Sequence, residues 1–370
     1  MSKKVLLIAN DESTILNFRQ EILRAFIKEG FKVIVCYPLG ENTQTIRNLK
    51  CYPVNLRVSR YGKNVFKELV LLNDCKKLLK KYKPDVVLTY TVKPNIYGSL
   101  ACQLLHISYI NNITGLGSVL QKESALSKII LKMQEIAYRK SSCVFFQNTE
   151  NYEQLLKASV VKKDTPTQIL PGSGVNLELM KYEPFPDNDG ITRFIIVSRI
   201  RVDKGYNEFF DAAERIKAKN SKVEFHVVGW YEEDDLRRRV DSLRKSRIII
   251  YHGKKSQEEV HELVKECNCL IHPSYHEGMA NALMEEAATG RPVITSDIPG
   301  CREIFEERIT GFGCKVQDSD SLIEAIEKFL TLSYEEQVDM GCRGRQKMER
   351  EFDRQFVAQQ YIKQINKVER

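Results

Sequence analysis

The sequence predicts an α/β protein built of two doubly wound, Rossmann-like domains. Three observations carry that expectation. The chain has 370 residues, too many for one ordinary hydrophobic core and suited to two domains of about 150–200 residues. Short β-branched runs alternate with amphipathic stretches from the first residues onward. The alternation pauses at a Pro/Asp/Asn/Gly-rich segment and then starts again.

In the first half, strand-like runs fall at 5–9, 32–36, 85–89, 109–113, 143–147 and 167–170. Helical stretches at 18–28, 65–81, 96–106 and 127–139 lie between them. Such an order argues for a parallel sheet covered on both faces. Segment 177–190, with Pro184, Pro186 and its Asp/Asn/Gly cluster, reads as a linker. The second half gives strands at 193–198, 223–229, 247–251, 269–273 and 292–296, with helices at 206–217, 232–245, 258–265 and 281–289. Helices at 321–330 and within 334–367 close the chain. The domains are therefore expected at 1–178 and 179–350, with 351–370 a final helix packing back towards the first. Doubly wound units bind ligands beyond the carboxyl ends of their strands, so a cleft there is the expected site.

Composition bounds the function class. Apolar content of 42% and charged content of 29% are those of a soluble globular protein. The ten cysteines are scattered without a recurring C-x-x-C, which signals neither a zinc site nor a disulfide framework. The opening MSKKVLLIAN reads as a first strand and not a signal peptide, and no run approaches ~18 apolar residues. A cytoplasmic location is expected. The net charge of +8 is uneven: residues 1–180 carry 26 Lys+Arg against 14 Asp+Glu, a net +12. That half is either a solvated surface that happens to be cationic or one that faces an anionic partner: phospholipid, a phosphate-bearing acceptor or nucleic acid. Residues 57–83 hold nine basic and two acidic residues, with Val65, Phe66, Leu69, Val70, Leu72, Leu78 and Leu79 as the apolar set. This segment fits an anionic membrane surface or an ordinary core-facing helix with a charged back.

Two segments carry chemistry. In HPSYHEGMANALMEEAATGRPVITSDIPG, residues 272–300, a strand ends, a polar turn carries Glu277 and Gly278, and a helix begins near Asn281. A helix N-terminus offers unpaired amides and a partial positive charge to a diphosphate. Gly278 permits close backbone approach, and Glu285 is placed to accept from ribose hydroxyls, as an acidic residue does in dinucleotide folds. The second segment is Ser198-Arg199 with Lys204-Gly205, after the first strand of the second domain. Two cations there would stabilise negative charge on a departing diphosphate. Two Asp-x-Asp strings, 187–189 and 318–320, fall in the linker and at a helix start, where Asp serves turns and caps; no metal is expected.

SRIRVDKG, followed about seventy residues later by HPSYHEGMANALMEEAATGRPVITSD, resembles the GT4 family of retaining glycosyltransferases, which have the GT-B fold. In the first domain NFRQEILRAFIKEG, TVKPNIYGSLAC, INNITGLGS and ILPGSGVNLE look like the subgroup that extends undecaprenyl-diphosphate-linked sugars in capsule, O-antigen or glycan assembly. The resemblance implies that Arg199 and Lys204 contact the donor diphosphate and Glu285 the ribose. Glu277 would sit by the transferred sugar, and Arg199, Lys204 and Glu277 would form the catalytic set. Gly278, Met279, Asn281, Ala282 and Leu283 would cradle sugar and phosphate, with Gly115 and Gly117 facing the donor sugar from the first domain. The implied donor is a UDP-sugar carrying a hexose or N-acetylhexosamine. The implied acceptor is a lipid-diphosphate-linked saccharide, met at the inner face of the cell membrane.

The sequence departs from the family pattern in three places. Thr114 stands where many members have a histidine, so no first-domain general base is identified; His106, the one histidine of that half, reads as a helix terminus. Gly229-Trp230-Tyr231 replaces the usual Gly-x-Gly, and 10–14 lacks the paired glycines of the first loop and suits the acceptor instead. Front-face transfer with the leaving phosphate as base needs no side-chain base. Competing readings are another reaction on the same architecture, such as sugar-nucleotide epimerisation, and a basic nucleic-acid-binding module. The latter lacks interleaved aromatics, a helix-turn-helix or a zinc pattern.

Overall fold

The computed structural model describes residues 2–58, 65–116 and 124–368. The chain divides into two compact units, Met1–Ser173 with Arg354–Arg370, and Gly174–Asp353.

The first unit has a seven-stranded sheet of β1 (Lys4–Ile8), β2 (Lys32–Tyr37), β3 (Tyr52–Asn55), β4 (Val86–Tyr90), β5 (Ser108–Ile113), β6 (Cys143–Phe146) and β7 (Thr167–Ile169). All pairings are parallel, in the order β3-β2-β1-β4-β5-β6-β7. Successive residues of a strand point to opposite faces, and both faces are covered. Thus Val5 and Leu7 join the core beneath helix Gln20–Lys28, whereas Leu6 and Ile8 join the core beneath helix Val65–Tyr82.

The last helix, Arg354–Lys367, completes the first of these cores through Val357, Ala358, Tyr361, Ile362 and Ile365. Each large apolar side chain so buried contributes about 1.5–3 kcal/mol. Lys3 Nζ donates to the carbonyls of Ile365 (2.8 Å) and Val368 (2.7 Å), and Arg354 pairs with Glu21 at 2.8 Å. His106 closes helix Ser99–Leu105 in the left-handed region, a terminus as read.

The second unit has a six-stranded parallel sheet of β8 (Thr192–Val197), β9 (Val223–Val228), β10 (Ile250–Gly253), β11 (Cys269–His272), β12 (Val293–Ser296) and β13 (Gly311–Cys314). Their order is β10-β9-β8-β11-β12-β13. Phe194, Ile196, Cys269 and Ile271 face one core, Ile195 and Leu270 the other. β3 and β13 fall outside the alternation read from sequence. Both are edge strands paired on one side only, and YPVN and GFGC carry the Pro and Gly that weaken a strand signal.

Each sheet grows one way from its first strand and then returns to the other side. The reversal lies between β1 and β4 in the first unit and between β8 and β11 in the second. These are the positions at which doubly wound sheets open a crevice at their strand carboxyl ends.

Candidate active site

In the second unit the β8/β11 reversal brings the two sequence segments together. After β8 the chain runs through Ser198 and Arg199 into a single 3₁₀ turn, Val202–Lys204, and then helix Tyr206–Lys219. Gly205 joins turn to helix at φ +74°, and a Cβ there would lie 2.0 Å from the carbonyl oxygen of Pro273. Only glycine lets this turn rest on the end of β11. Tyr275 N–H donates to the Asp203 carbonyl at 2.9 Å and fixes the same contact. From the other side Gly300, at φ +82°, packs against the carbonyls of Glu277 and Gly278, and its own carbonyl accepts from Ala280 N–H at 2.9 Å.

This clamping places Lys204 Nζ 2.5 Å from Glu277 Oε1. His272, the last residue of β11 and 4% exposed, meets the same oxygen through Nε2 at 2.9 Å. Burial pushes the Glu277 carboxyl up, but the His272 hydrogen bond and the Lys204 charge outweigh it and hold the group at about 2. Glu277 is therefore an anion throughout the neutral range. His272 carries no special mark in the sequence beyond its position: five residues before the glutamate, where a strand ends.

Arg199 does not join that pair. Its Nη1 donates to Glu232 Oε1 at 3.1 Å, and Arg201 reaches the other oxygen of Glu232 at 3.0 Å while its Nε donates to Asp203 at 2.8 Å. Burial raises the Glu232 carboxyl, yet the two arginines hold it below its ordinary value. Two guanidinium groups thus share one carboxylate beyond β8, and sequence reading gave Glu232 no role because it sits where a helix begins.

Helix Asn281–Ala288 opens at the polar turn. Its first amides have no acceptor within the helix, and Asn281 Nδ2 donates back to the Met279 carbonyl at 3.4 Å. Met279 and Leu283 bury their side chains, so only their backbone is available to a ligand, as with Gly278; Ala282 is half-buried. The adjacent glutamates have opposite environments. Glu285 is half-buried and accepts from Gln257 Nε2 at 3.4 Å. Glu286 faces the core with neither oxygen hydrogen-bonded, and burial, helped by the Glu285 charge, raises it well above the carboxylate range.

Arg291, of the GRPVI string, is a structural clamp. It is 1% exposed and donates to the carbonyls of Val264, Cys267, Glu183, Thr289, Pro184 and Lys265 at 2.8–3.2 Å. Both Asp-x-Asp strings are engaged locally: Asp189 pairs with Arg193, Asp318 caps helix Ser319–Leu330, and Asp320 pairs with Arg215. Among the described residues no group of three His, Cys, Asp or Glu side chains is arranged to hold a metal. All ten cysteines are free. Gly115 belongs to the first unit, at φ +137° after β5. Gly117 lies outside the described residues.

Comparison with known proteins agrees with this architecture. The Glycosyl transferases group 1 family model matches residues 182–347, and the Glycosyl transferase 4-like model matches residues 4–148. The chain is 26% identical to the N,N'-diacetylbacillosaminyl-diphospho-undecaprenol alpha-1,3-N-acetylgalactosaminyltransferase of Campylobacter jejuni, with 96% of each chain covered. It is also 26% identical, over 76% of each chain, to the UDP-Gal:alpha-D-GlcNAc-diphosphoundecaprenol alpha-1,3-galactosyltransferase of Escherichia coli. Among solved structures, a glycosyltransferase from Rickettsia africae superposes with TM-score 0.81 at 17% identity, covering 99% of this chain and 98% of that one. The Anabaena protein HepE, solved in complex with UDP and glucose, gives 0.80 at 16% identity, covering 98% and 99%. Two family models that between them match most of both units, and relatives matched over 96% and 76% of the chain, lead to one assignment: the chain belongs to the GT4-like glycosyltransferases of GT-B fold, and it is a glycosyltransferase.

Proposed function

We propose that this enzyme moves a hexose or N-acetylhexosamine from a UDP-sugar, with retained anomeric configuration, onto a lipid-diphosphate-linked sugar in surface polysaccharide or glycan assembly. The observation that carries the site assignment is the Lys204–Glu277–His272 cluster at the β8/β11 reversal. The acceptor class is supported by the diphospho-undecaprenol-linked sugars named for both relatives, and UDP by the donor named for the Escherichia coli one.

On this reading the second unit binds the donor and the first unit the acceptor. Glu277 faces the transferred sugar, and Glu285 holds the ribose. The diphosphate draws Lys204 towards itself, which leaves Glu277 ionised through His272. Arg199, already oriented by Glu232, and the amides opening helix Asn281–Ala288 take the remaining phosphate charge. Gly278, Met279, Ala282 and Leu283 contribute backbone only. The acceptor hydroxyl attacks the anomeric carbon on the face of the departing phosphate. The bond from that carbon to the phosphate oxygen breaks as the new glycosidic bond forms, and the hydroxyl proton passes to the leaving oxygen. Lys204 and Arg199 act because the negative charge they meet is greatest as that bond breaks.

No helix among the described residues is long and apolar enough to cross a membrane. Contact with the acceptor's membrane is proposed instead through helix Val65–Tyr82 of the first unit. Its Leu71, Cys75 and Leu79 are buried, whereas Phe66 (81%), Leu69 (59%) and Val70 (58%) are exposed on a helix that also presents Lys67, Lys77, Lys80 and Lys81. Exposed apolar side chains beside lysines suit the anionic inner face of the cell membrane.

A labelled-donor panel incubated with membrane lipid extract tests the reaction. Label entering the organic phase, with nucleoside diphosphate released only when acceptor is present, is the expected result. Release without acceptor, or interconversion of the donor sugar, would point to another reaction. Pelleting with anionic but not neutral vesicles tests the membrane contact.

A further inference from the structure

At its own reversal point the first unit carries a buried cation with no counter-ion among the described residues. Arg19 follows the β1 loop and is 4% exposed. Its Nη1 donates to the Thr14 carbonyl at 2.8 Å, and its guanidinium carbon lies 4.3 Å from the centre of the Tyr90 ring. Among the described residues its Nε has no acceptor and no carboxylate pairs with Arg19, and the buried Tyr90 hydroxyl lies against Arg19 and Tyr361 without a hydrogen bond of ordinary geometry. Tyr90 ends β4, the strand that meets β1 at the reversal. The next residue, Thr91, is held at φ +71° with its hydroxyl buried and unpaired. A β-branched residue in the left-handed region is strained, and such strain gathers at ligand sites.

A guanidinium withdrawn from water without an anion is costly unless something arrives to meet it. The second unit shows what the equivalent position does: there Lys204 is met by Glu277. We propose that Arg19, with the Tyr90 hydroxyl, seats a phosphoryl group of the acceptor's diphosphate, which makes it the acceptor-side counterpart of the donor cations. This rests on the lipid-diphosphate reading above. Arginine presents a planar fork that matches phosphate oxygens, and the phenol adds a donor beside it.

The test compares two acceptors carrying the same sugar, one on a short prenyl diphosphate and one on an uncharged alkyl chain. Arg19→Gln should lower kcat/KM for the diphosphate acceptor by roughly tenfold to a hundredfold, the size of a lost hydrogen bond to a charged group. Its rate on the uncharged acceptor should stay within about twofold of wild type, as expected for a contact that acceptor never makes. Arg19→Lys, which keeps the charge without the fork, should fall between. Tyr90→Phe, which removes a single oxygen, should shift the same ratio in the same direction. Equal losses on both acceptors would mean that Arg19 only holds the fold, and the proposal would be wrong. Titration of inorganic pyrophosphate in saturating UDP reads the seat without transfer. Weaker binding in Arg19→Gln supports it even if wild type uses neither acceptor, in which case the acceptor reading alone fails. Unchanged pyrophosphate binding overturns it.

Discussion

Replacing Lys204 with Met removes one charge and keeps most of the side chain's packing. The consequence can be worked from Glu277, which is held at about 2 against an ordinary 4.5. That depression corresponds to roughly 3 kcal/mol favouring the ionised form, at about 1.4 kcal/mol per unit. A carboxyl depressed on folding stabilises the native state above its unfolded value, and the contribution disappears as pH falls from about 4.5 towards about 2. Without Lys204, burial is opposed by His272 alone, so the folded value rises and the acid-labile contribution shrinks. Because the two side chains keep 17% and 13% exposure, the loss at pH 7 should be about 2 kcal/mol, below the ~3–5 typical of a fully buried pair. Trp230, the sole tryptophan, lies in the second unit, so its fluorescence during urea unfolding reports the unit concerned. In a Glu277→Gln background the same substitution should cost about 1–2 kcal/mol less. Strict additivity, or identical acid sensitivity in wild type and Lys204→Met, would refute the pairing. Turnover should also fall, by roughly a hundredfold.

Other expectations follow from the same geometry. Arg199→Ala should lower turnover about a hundredfold with little effect on unfolding, and near-native turnover at saturating donor would remove Arg199 from the site. Glu285→Gln should chiefly weaken donor binding and Glu277→Gln chiefly slow the chemical step; equal effects on one kinetic parameter would contradict that division. His272→Phe should reduce kcat about tenfold while donor affinity holds, and His272→Gln, which restores a donor to Glu277, should recover part of it. If neither variant changes kcat, His272 has no positioning role. Deleting 354–370 should abolish the first unit's cooperative unfolding while the Trp230 transition survives, since Val357, Tyr361 and Ile365 complete only the first core.

The buried strands were legible because burial on both faces writes an unmistakable signal. Val5–Ile8 and Phe194–Val197 tolerate nothing polar on either side, whereas the edge strands Tyr52–Asn55 and Gly311–Cys314 need satisfy only one neighbour. Site residues divided along a similar line. Lys204 and Glu277 could be placed at strand ends by counting. Their direct contact depended on Gly205 and Gly300 closing the two loops, a matter of backbone approach that no spacing expresses. Arg291 shows the converse: it sits in a string that resembles a ligand segment, yet six carbonyls consume its donors. Helical phase separates Glu285 from Glu286, because one residue is about 100° of turn and the second glutamate falls on the side of Leu283, Met284 and Ala287. Helix Val65–Tyr82 resisted such phasing because apolar residues occupy most of its circumference near the start. Packing settles it: Leu71, Cys75 and Leu79 turn inward at i, i+4 and i+8, which necessarily leaves Phe66 and Val70 outward one phase away. The membrane contact proposed for this helix rests on that phase: outward apolar side chains beyond what the core takes up, followed along the same helix by lysines that would attract anionic lipid.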